Sequence, residues 1–273
     1  MTSQEVRIRP VERGELRTCE AIMGEVFSFD DIDVIPAWQM YSSSRHGGIV
    51  LGAFIDERLV GFSFAYPAYD GHPYLFSSGL FVLAEYESRG IGYQLKVEQG
   101  RQARARGHRE IVWTVEPLNS KAIRLYMKLG ATLVEYEREM YEELNLGGVD
   151  AGVVADEVVV RWMLPEEEPG TFPNRVAVPL PEMPCLTRSE PMGEFRALTS
   201  TATSSEPRDP VRLEIPWDLQ GLKADSLEAA SEWRLGVRTL MEMLFAKGFQ
   251  GVDQVLKKSE RRSFIVFTRG ARR

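Results

Sequence analysis

The chain has 273 residues, 44% of them hydrophobic, which is enough to bury one large core or two smaller ones. Its formal net charge of −7 argues against a nucleic-acid-binding protein, because such proteins normally present a basic domain or stripe. Cys19 and Cys185 lie too far apart to suggest a disulfide framework, and neither they nor the three histidines have the spacing of metal ligands. No stretch approaches the roughly 18 apolar residues of a membrane helix, and no signal-peptide pattern is present. We therefore expect a cytoplasmic protein with no metal, nucleic-acid or membrane partner.

The first half of the chain predicts strands and helices in a mixed order. Runs of apolar and β-branched residues predict strands, and apolar residues at intervals of three and four predict helices. The predicted strands are 6–11, 48–56, 59–71, 74–83, 111–115 and 132–141. The predicted helices are 12–29, a second one that carries Trp38 and Tyr41, 90–106 and 120–129. This order is typical of an α/β protein with a mixed sheet of the α+β kind.

The second half predicts one more strand and then a change of composition. The strand is expected at 157–164 and is followed by "PEEEPGTFPN" at 165–174, and residues 181–210 are rich in Pro, Ser, Thr and charge without any period. We therefore expect a domain at 1–165, a linker or long irregular loop at 166–210, and an extension at 211–273.

The extension predicts a β-α-β order. Strands are expected at 211–216 and 263–269. Between them, Asp225 and Glu228 have the spacing of a capping box that opens a helix, and Gly248 could close it. We expect this segment to be folded and to pack on the first domain or on a partner subunit.

The segment "SRGIG" at 88–92 follows an apolar strand and opens a predicted helix. The first amides of a helix have no acceptor within it, so such a helix end can bind phosphate. Gly90 and Gly92 would let the backbone approach a ligand closely, and Arg89 would add positive charge for a pyrophosphate. An ordinary glycine turn with an exposed arginine explains the same residues equally well. The motif alone therefore does not decide the function.

A second segment, "VEPLNSKAIRLYMKLGA" at 115–131, narrows the interpretation. Here a strand ends at Pro117, Asn119 opens a short helix, and Tyr126 lies two turns along that helix. Together the two segments resemble the Gcn5-related N-acetyltransferase superfamily, and the resemblance covers residues 6–143. It implies that family's mixed α/β fold and, as cofactor, acetyl-CoA or another acyl-CoA, with succinyl-CoA among the candidates.

The resemblance also implies which residues hold the coenzyme. In the family, a strand end, a glycine loop and the helix that follows bind pantetheine and pyrophosphate, and a later Asn helps to complete the site. The residues at these positions are Phe81, Val82, Leu83, Glu87, Ser88, Arg89, Gly90, Ile91, Gly92, Tyr93 and Asn119. Glu87 and Ser88 depart from the family pattern, which usually has Gln or Arg and then often Gly. Because backbone contacts survive such a change and Arg89 supplies charge, the departure bears on affinity more than on activity.

Three segments carry a narrower resemblance, to a subfamily of longer predicted acyltransferases that are in part associated with N-acylamino acid racemases. They are "HGGIVLGAF" at 46–54, "GGVDAGVVADEVVVRWML" at 147–164, and the stretch from "LEIPWDLQ" to "FAKGF" at 213–249. The chemistry that this resemblance implies is the N-succinylation of amino acids.

Acyl transfer to an amine requires positioning, an oxyanion donor and proton transfers, but no nucleophilic side chain. We expect a backbone amide near the strand end, that of Val82, to polarise the thioester carbonyl. The resemblance makes Tyr126 the acid that protonates the leaving thiolate. Glu116 is the first candidate for the general base and Glu85 the second, acting directly or through water. Carboxylates at the ends of strands are more often simply solvated, so the identity of the general base stays undecided.

The acceptor pocket of this family is often formed by the first helices and the neighbouring strands. The residues there that could wall it or bind a carboxylate are Phe29, Trp38, Tyr41, Arg45, His46 and Tyr66. Aromatic residues at helical spacing are, however, more often part of a core. We predict an N-acyltransferase for a small primary amine such as an amino acid, and a homodimer to which the apolar face of helix 226–247 contributes. The alternative is a non-catalytic acyl-CoA-binding or assembly module.

Overall fold

A computed structural model of the protein describes residues 5–27, 34–140, 155–165, 180–203 and 206–270. These residues form two compact units. The first contains the described residues up to Trp113 together with 162–165, and the second contains the others. Across the described ranges, no helix has the length and apolar character needed to span a membrane.

The first unit is built on a mixed sheet. Its strands are β1 (Arg7–Pro10), β2 (Ile49–Ile55), β3 (Arg58–Tyr69), β4 (Pro73–Val82) and β5 (Glu110–Val115). They neighbour one another in that order, the first four antiparallel and β5 parallel to β4. Its helices are α1 (Leu16–Phe27), α2 (Ala37–Arg45) and α3 (Ile91–Ala105). The helix α3 makes the crossover that a parallel strand pair requires.

Both faces of this sheet are covered, so its central strands are apolar. Every residue of β2 is buried, as expected for a strand without a solvent face. On one face, Met23 of α1 and Met40 of α2 share a cluster with Phe62 and Phe64 of β3. The opposite face is covered by α3, through a buried row that includes Leu95. The sheet therefore holds α3, and the turn that precedes it, in a fixed place.

The second unit contains the remaining strands and three helices. Its helices are α4 (Ser120–Leu129), α5 (Leu219–Asp225) and α6 (Leu227–Ala246). Its strands are β6 (Thr132–Glu137), β7 (Glu157–Met163), β8 (Thr187–Met192), β9 (Phe195–Thr201), β10 (Val211–Ile215), β11 (Phe249–Lys257) and β12 (Arg262–Arg269). Five of them neighbour one another in the order β7, β6, β11, β12, β10, and β8 pairs with β9. The predicted mixed α/β class is confirmed.

The predicted linker contains regular structure. Within 166–210, which composition predicted to be irregular, β8 and β9 form an antiparallel hairpin. Most of its residues are polar and at least partly exposed, so composition resembled that of a loop. The hairpin is anchored where Leu198 packs against α6 at Gly236, which has no side chain to obstruct it. The backbone carbonyl of Arg196 also accepts from the indole nitrogen of Trp233 at 2.8 Å.

The extension differs from the predicted β-α-β order in its helices and in one added strand. The predicted capping residue, Asp225, is the last residue of the short helix α5. The long helix α6 is capped by Ser226, whose hydroxyl accepts from the Ala229 amide at 3.1 Å. The strand β11, between α6 and β12, was not predicted. The apolar face of α6 is buried within this unit, so the prediction that this face contributes to a dimer was wrong.

Candidate active site

The segment predicted to bind phosphate forms a tight turn before α3. A turn of 3-10 helix at Ala84–Tyr86 follows β4, and Ser88 and Gly90 then adopt φ angles of 60° and 79°. Gly90 directly precedes α3, no side-chain hydrogen bond caps the helix at this residue, and Gly92 lies in its first turn. No heavy atom lies within 4 Å of the position that a Cβ at Gly90 would take. The left-handed φ favours glycine, and the backbone here is open to close approach by a ligand.

Two guanidinium groups flank Tyr86 beside this turn. Arg89 lies 5.1 Å from the ring centroid of Tyr86 and donates to the backbone carbonyl of Glu85 at 3.1 Å. Arg58 lies 5.6 Å from the same centroid and pairs with the Glu85 carboxylate at 3.1 Å. Glu87 is exposed, as is Arg89 itself. The turn therefore has positive charge beside it, and Glu85, the second candidate for the base, is engaged in an exposed ion pair.

The strand β4 separates from β5 after a short stretch of pairing. Their last pair is Phe76 with Val112, whereas β4 continues to Val82 beside β3. The amide of Leu83 donates to the carbonyl of Val60 in β3 at 3.0 Å. Since successive amides of a strand point to opposite edges, the Val82 amide points to the edge that β5 has left. This is the orientation that an oxyanion donor requires.

Two side chains at this strand end, those of Phe81 and Leu83, point into the core. Phe81 stacks on Phe62 with ring centroids 4.7 Å apart, and Leu83 is buried in the same cluster. Ile91 is buried under the first turn of α3, and Tyr93 is partly buried. The predicted coenzyme residues of β4 would therefore offer backbone groups to a ligand, while their side chains hold the edge in place.

A lysine that the sequence did not single out lies where β4 and β5 part. Lys96 of α3 is 1% exposed, and its Nζ donates to Ser77 Oγ at 2.8 Å and to Gln99 Oε1 at 3.4 Å. The same Nζ lies 3.8 Å from the ring centroid of Trp113. Ser77 and Trp113 directly follow the last paired residues of the two strands. Burial disfavours the ammonium form and lowers the pKa of Lys96 to about 7.

Asn119 and Tyr126 belong to the second unit, at the helix α4. Oδ1 of Asn119 accepts from the Ala122 amide at 3.0 Å and so caps the helix, while the residue itself is exposed. Tyr126 is 8% exposed. Burial first, and the nearby Glu157 second, raise the pKa of Tyr126 above its ordinary value. The phenol therefore stays protonated at neutral pH and can act as a donor.

Glu116, the first candidate for the base, lies in an ion pair within the second unit. Its carboxylate accepts from Arg234 at 2.6 Å and from the Leu118 amide at 2.8 Å. The side chains of Arg234 and Glu116 are 2% and 12% exposed. Arg234, which α6 supplies, also donates to the backbone carbonyl of Asp156 at 3.3 Å. Arg234 lies far from Glu116 along the chain, so no local sequence pattern indicated this pair.

The aromatic residues predicted for the acceptor pocket differ in exposure. Phe29 lies outside the described residues. Trp38 and Tyr41, both on α2, are 71% and 38% exposed. The guanidinium of Arg13 lies 5.1 Å from the ring centroid of Tyr41. The helix α2 thus presents an aromatic surface to solvent, and these two residues are not part of the core.

The other predicted acceptor residues lie at the end of α2 and on β3. Arg45 is the last residue of α2, and the Nδ1 of His46, which follows it, lies 2.8 Å from the Ser42 carbonyl. Tyr66 packs against Phe76 with ring centroids 5.6 Å apart, and burial raises the pKa of its phenol. Tyr66 also packs against the core cluster that contains Met40 of α2. The structure therefore brings Tyr66 close to the inner face of α2 and leaves Arg45 and His46 exposed.

A mixed sheet in which a strand end leads through a glycine turn into a helix is the arrangement that the sequence resemblance implied, that of an acyl-CoA-dependent acetyltransferase. Residues 15–131 match the model of the acetyltransferase (GNAT) family. Over these residues the chain is therefore similar to the acetyltransferase (GNAT) family, and the predicted resemblance to the superfamily is confirmed. The narrower resemblance, to enzymes associated with N-acylamino acid racemases, stays a prediction.

Several solved acetyltransferase structures are similar to this chain. The ribosomal-protein-alanine N-acetyltransferase from Brucella melitensis is 19% identical, with a TM-score of 0.48 over 58% of this chain and 99% of its own. An N-acetyltransferase from Staphylococcus aureus is 16% identical, with a TM-score of 0.49 over 59% and 99%. Naa50 from Arabidopsis thaliana, in complex with a bisubstrate analogue, is 20% identical, with a TM-score of 0.46 over 57% and 97%. No curated protein sequence matches the chain. The family assignment therefore rests on residues 15–131.

Proposed function

We propose that this protein is an acyl-CoA-dependent N-acyltransferase that transfers an acetyl or succinyl group to the primary amine of a small molecule such as an amino acid. The observation that supports this most is the turn at 88–92, with positive φ at Ser88 and Gly90 before the uncapped start of α3. Anions bind where helix amides and positive side chains meet. Coenzyme A carries such an anion in its pyrophosphate, and Arg89 would pair with it.

The reaction would proceed by direct attack within a ternary complex. The amine nitrogen attacks the thioester carbonyl carbon, the C–N bond forms, the C–S bond breaks, and coenzyme A leaves as a thiolate. One proton leaves the nitrogen and one is taken up by sulfur, so the products are an amide and a free thiol. A backbone amide on the open edge of β4, such as that of Val82, would donate to the carbonyl oxygen as negative charge develops there.

Tyr126 is the proposed donor to the leaving thiolate. The thiol of coenzyme A is an alkyl thiol like that of cysteine, whose ordinary pKa of about 8.5 is well below that of a tyrosine. Burial raises the pKa of Tyr126 further. Outright transfer of the phenol proton to a free thiolate is therefore uphill. We accordingly propose that Tyr126 stabilises the developing thiolate by donating a hydrogen bond and keeps its own proton. The proton lost from the amine nitrogen is then balanced by one that sulfur takes up from water as coenzyme A leaves.

The base remains a choice between the two predicted carboxylates. An ion pair with a buried guanidinium stabilises a carboxylate as the anion and opposes its taking up a proton. Glu116 is in such a pair with Arg234, whereas the partner of Glu85, Arg58, is itself exposed. This difference favours Glu85, acting directly or through water, and gives Glu116 a part in holding the end of β5.

Binding of free coenzyme A, measured by calorimetry, tests the proposed site. Gly90→Ala should weaken binding about 10-fold or more, because its Cβ occupies space that the ligand needs and the left-handed φ costs about 1–2 kcal/mol. Gly71 has a φ of 74° and equally open surroundings, but it lies in the turn between β3 and β4. Gly71→Ala therefore imposes the same backbone cost away from the loop. Weaker binding in Gly90→Ala alone supports the site, and no binding to the wild type contradicts it.

Thiol release from acetyl-CoA and succinyl-CoA with a panel of amines then tests catalysis. Sustained release that depends on one class of amine supports the transferase. Tight binding of the acyl-CoA without turnover on any amine would indicate the non-catalytic module instead.

The proposal includes a homodimer in the cytoplasm. Because the apolar face of α6 is buried, the dimer contact would use other residues. Leu227 and Leu235, two turns apart on α6, are 47% and 53% exposed, and self-association would remove them from water. Light scattering should then give twice the chain mass of 30.9 kDa for the wild type and a lower mass for Leu235→Glu. A wild-type mass equal to that of one chain contradicts the dimer.

A further inference from the structure

The buried amine of Lys96 marks the place where β4 and β5 come together. Ser77 and Trp113, which it contacts, are the first residues beyond the last pair of the two strands. In the proposed function the coenzyme phosphates lie at the turn before α3, and the long pantetheine arm extends along the open edge of β4. The acyl group, at the far end of that arm, is thereby directed toward Lys96.

The group beside Lys96 contains a second buried donor. Gln99 is fully buried, and its Nε2 makes no hydrogen bond with any described residue. Ser63 is also fully buried with its hydroxyl unbonded in the described part of the chain, and alternation along β3 places it on the same face as Ala65, the partner of Ser77. Buried polar groups are nearly always hydrogen-bonded, so these donors need an explanation. A ligand group rich in acceptors would supply it.

We propose that Lys96 and Gln99 form a subsite for a carboxylate at the far end of the acyl chain, so that the preferred donor is a carboxyacyl-CoA. This inference rests on the proposed function and names its donor class. A carboxylate there would accept from the ammonium and from the amide nitrogen, which are the donor types that bind it most strongly. The carboxylate takes no part in bond making or breaking.

The length of the acyl chain decides where its carbonyl lies. Successive residues of a strand are about 3.3 Å apart, and a bulge in β4 takes up one residue between Ser77 and Gly79. Val82 is therefore roughly 13 Å from Ser77, and Leu80 is roughly 7 Å from it. A four-carbon carboxyacyl group can bridge the shorter distance to Lys96 but not the longer one. The amide of Leu80 points to the same open edge as that of Val82. For a succinyl donor, the subsite therefore places the thioester carbonyl at the amide of Leu80 instead of that of Val82, which would then contact the pantetheine arm.

Calorimetry with three thioesters, namely succinyl-CoA, butyryl-CoA and acetyl-CoA, tests the subsite without knowledge of the amine. Butyryl matches succinyl in chain length and lacks the charge. A buried hydrogen bond to a charged group changes affinity by about 10- to 100-fold, so the wild type should bind succinyl-CoA more tightly than butyryl-CoA by this factor. Lys96→Met should remove or reverse the preference while leaving the affinity for acetyl-CoA within about threefold. Lys96→Arg, which keeps the charge, should retain part of it.

These binding measurements distinguish a carboxylate subsite from a purely structural role of Lys96. Lys258→Met removes an exposed lysine and serves as the control for a change in net charge. If the wild type binds butyryl-CoA or acetyl-CoA as tightly as succinyl-CoA, the subsite is overturned and the proposed function stands. This comparison uses only the wild-type protein, so it does not depend on whether a variant folds. Equal loss of all three ligands in a folded Lys96→Met also overturns it, because that is the result of a structural defect. Absence of binding by free coenzyme A would overturn the proposed function itself.

Discussion

Replacing Lys96 by methionine should change how the stability of the protein depends on pH. Burial lowers the pKa of this lysine from 10.5 to about 7 in the folded protein. In the unfolded chain the side chain is in water, where its pKa is about 10.4. Between these two pKa values the unfolded state binds more protons at this residue than the folded state does. The wild-type free energy of unfolding should therefore rise as the pH rises through this window.

The size of the effect follows from the two pKa values. In the pH range where Lys96 is protonated in the unfolded state and neutral in the folded state, the free energy of unfolding rises by about 1.4 kcal/mol for each pH unit. At pH 7 the folded amine is half protonated, so the gain from pH 7 to pH 9 amounts to about 2 kcal/mol. Methionine does not titrate and fills a similar volume, so Lys96→Met lacks this gain.

Urea unfolding at pH 7, 8 and 9, followed by tryptophan fluorescence, measures the effect. The quantity of interest is the wild-type free energy of unfolding minus that of Lys96→Met, because groups that titrate alike in both proteins cancel. It should increase by about 2 kcal/mol from pH 7 to pH 9. Lys258→Met, at an exposed position, controls for the loss of one positive charge. Parallel curves for the wild type and Lys96→Met would show that burial does not perturb this amine.

Three further predictions concern other parts of the protein. Tyr126→Phe should lower kcat about 100-fold with the Kd for free coenzyme A unchanged, and an unchanged kcat with chemistry rate-limiting would remove the phenol from the mechanism. Arg234→Met should lower the free energy of unfolding by about 3–5 kcal/mol, because it leaves the carboxylate of Glu116 largely buried without its counter-ion. Arg17→Met removes an arginine that is 83% exposed in its ion pair with Glu20, and it should cost under about 1 kcal/mol in the same urea assay. Equal losses in Arg234→Met and Arg17→Met would contradict this account. Ser226→Ala should cost about 1 kcal/mol and Ser226→Asp less, since aspartate can still cap α6.

The candidate phosphate site was predictable because its requirements are local. A left-handed residue before a helix favours glycine, and Gly90, with a φ of 79°, is such a residue. The cap of α4 is equally local, since the side chain of Asn119 bonds an amide three residues on. Both features depend on a few neighbouring residues and leave a pattern in the sequence.

The polar residues inside the protein were not predictable in this way. A lysine in a helix normally marks the solvent face, yet Lys96 lies in the buried row of α3 with Leu95 and Gln99. Arg234 lies in the buried row of α6, where its partner Glu116 comes from a distant part of the chain. No periodicity distinguishes such residues from exposed ones of the same type.

The hairpin β8–β9 and the strand β11 were missed for a related reason. The residues of β8 and β9 are largely polar. The hairpin is held because Leu198 of β9 packs against α6 and because Trp233 of α6 donates a hydrogen bond to the backbone of β9. The strand β11 follows α6 directly and lies between β6 and β12, so its ladder partners on one side come from much earlier in the chain. Strand pairing of this kind is decided by neighbours that a short window of sequence does not contain.

By itself the sequence determined the class of fold, the succession of the main helices and strands, and the glycine turn before α3, because periodicity, caps and left-handed residues act over a few positions. Only the tertiary structure decided which charged side chains are buried and what they contact. Lys96 at the parting of β4 and β5, and Arg234 beside Glu116, owe their environment to segments that meet only when the chain has folded. Burial, which sets both the cost of a charge and its chemistry, is a property of that packing and not of the residue type.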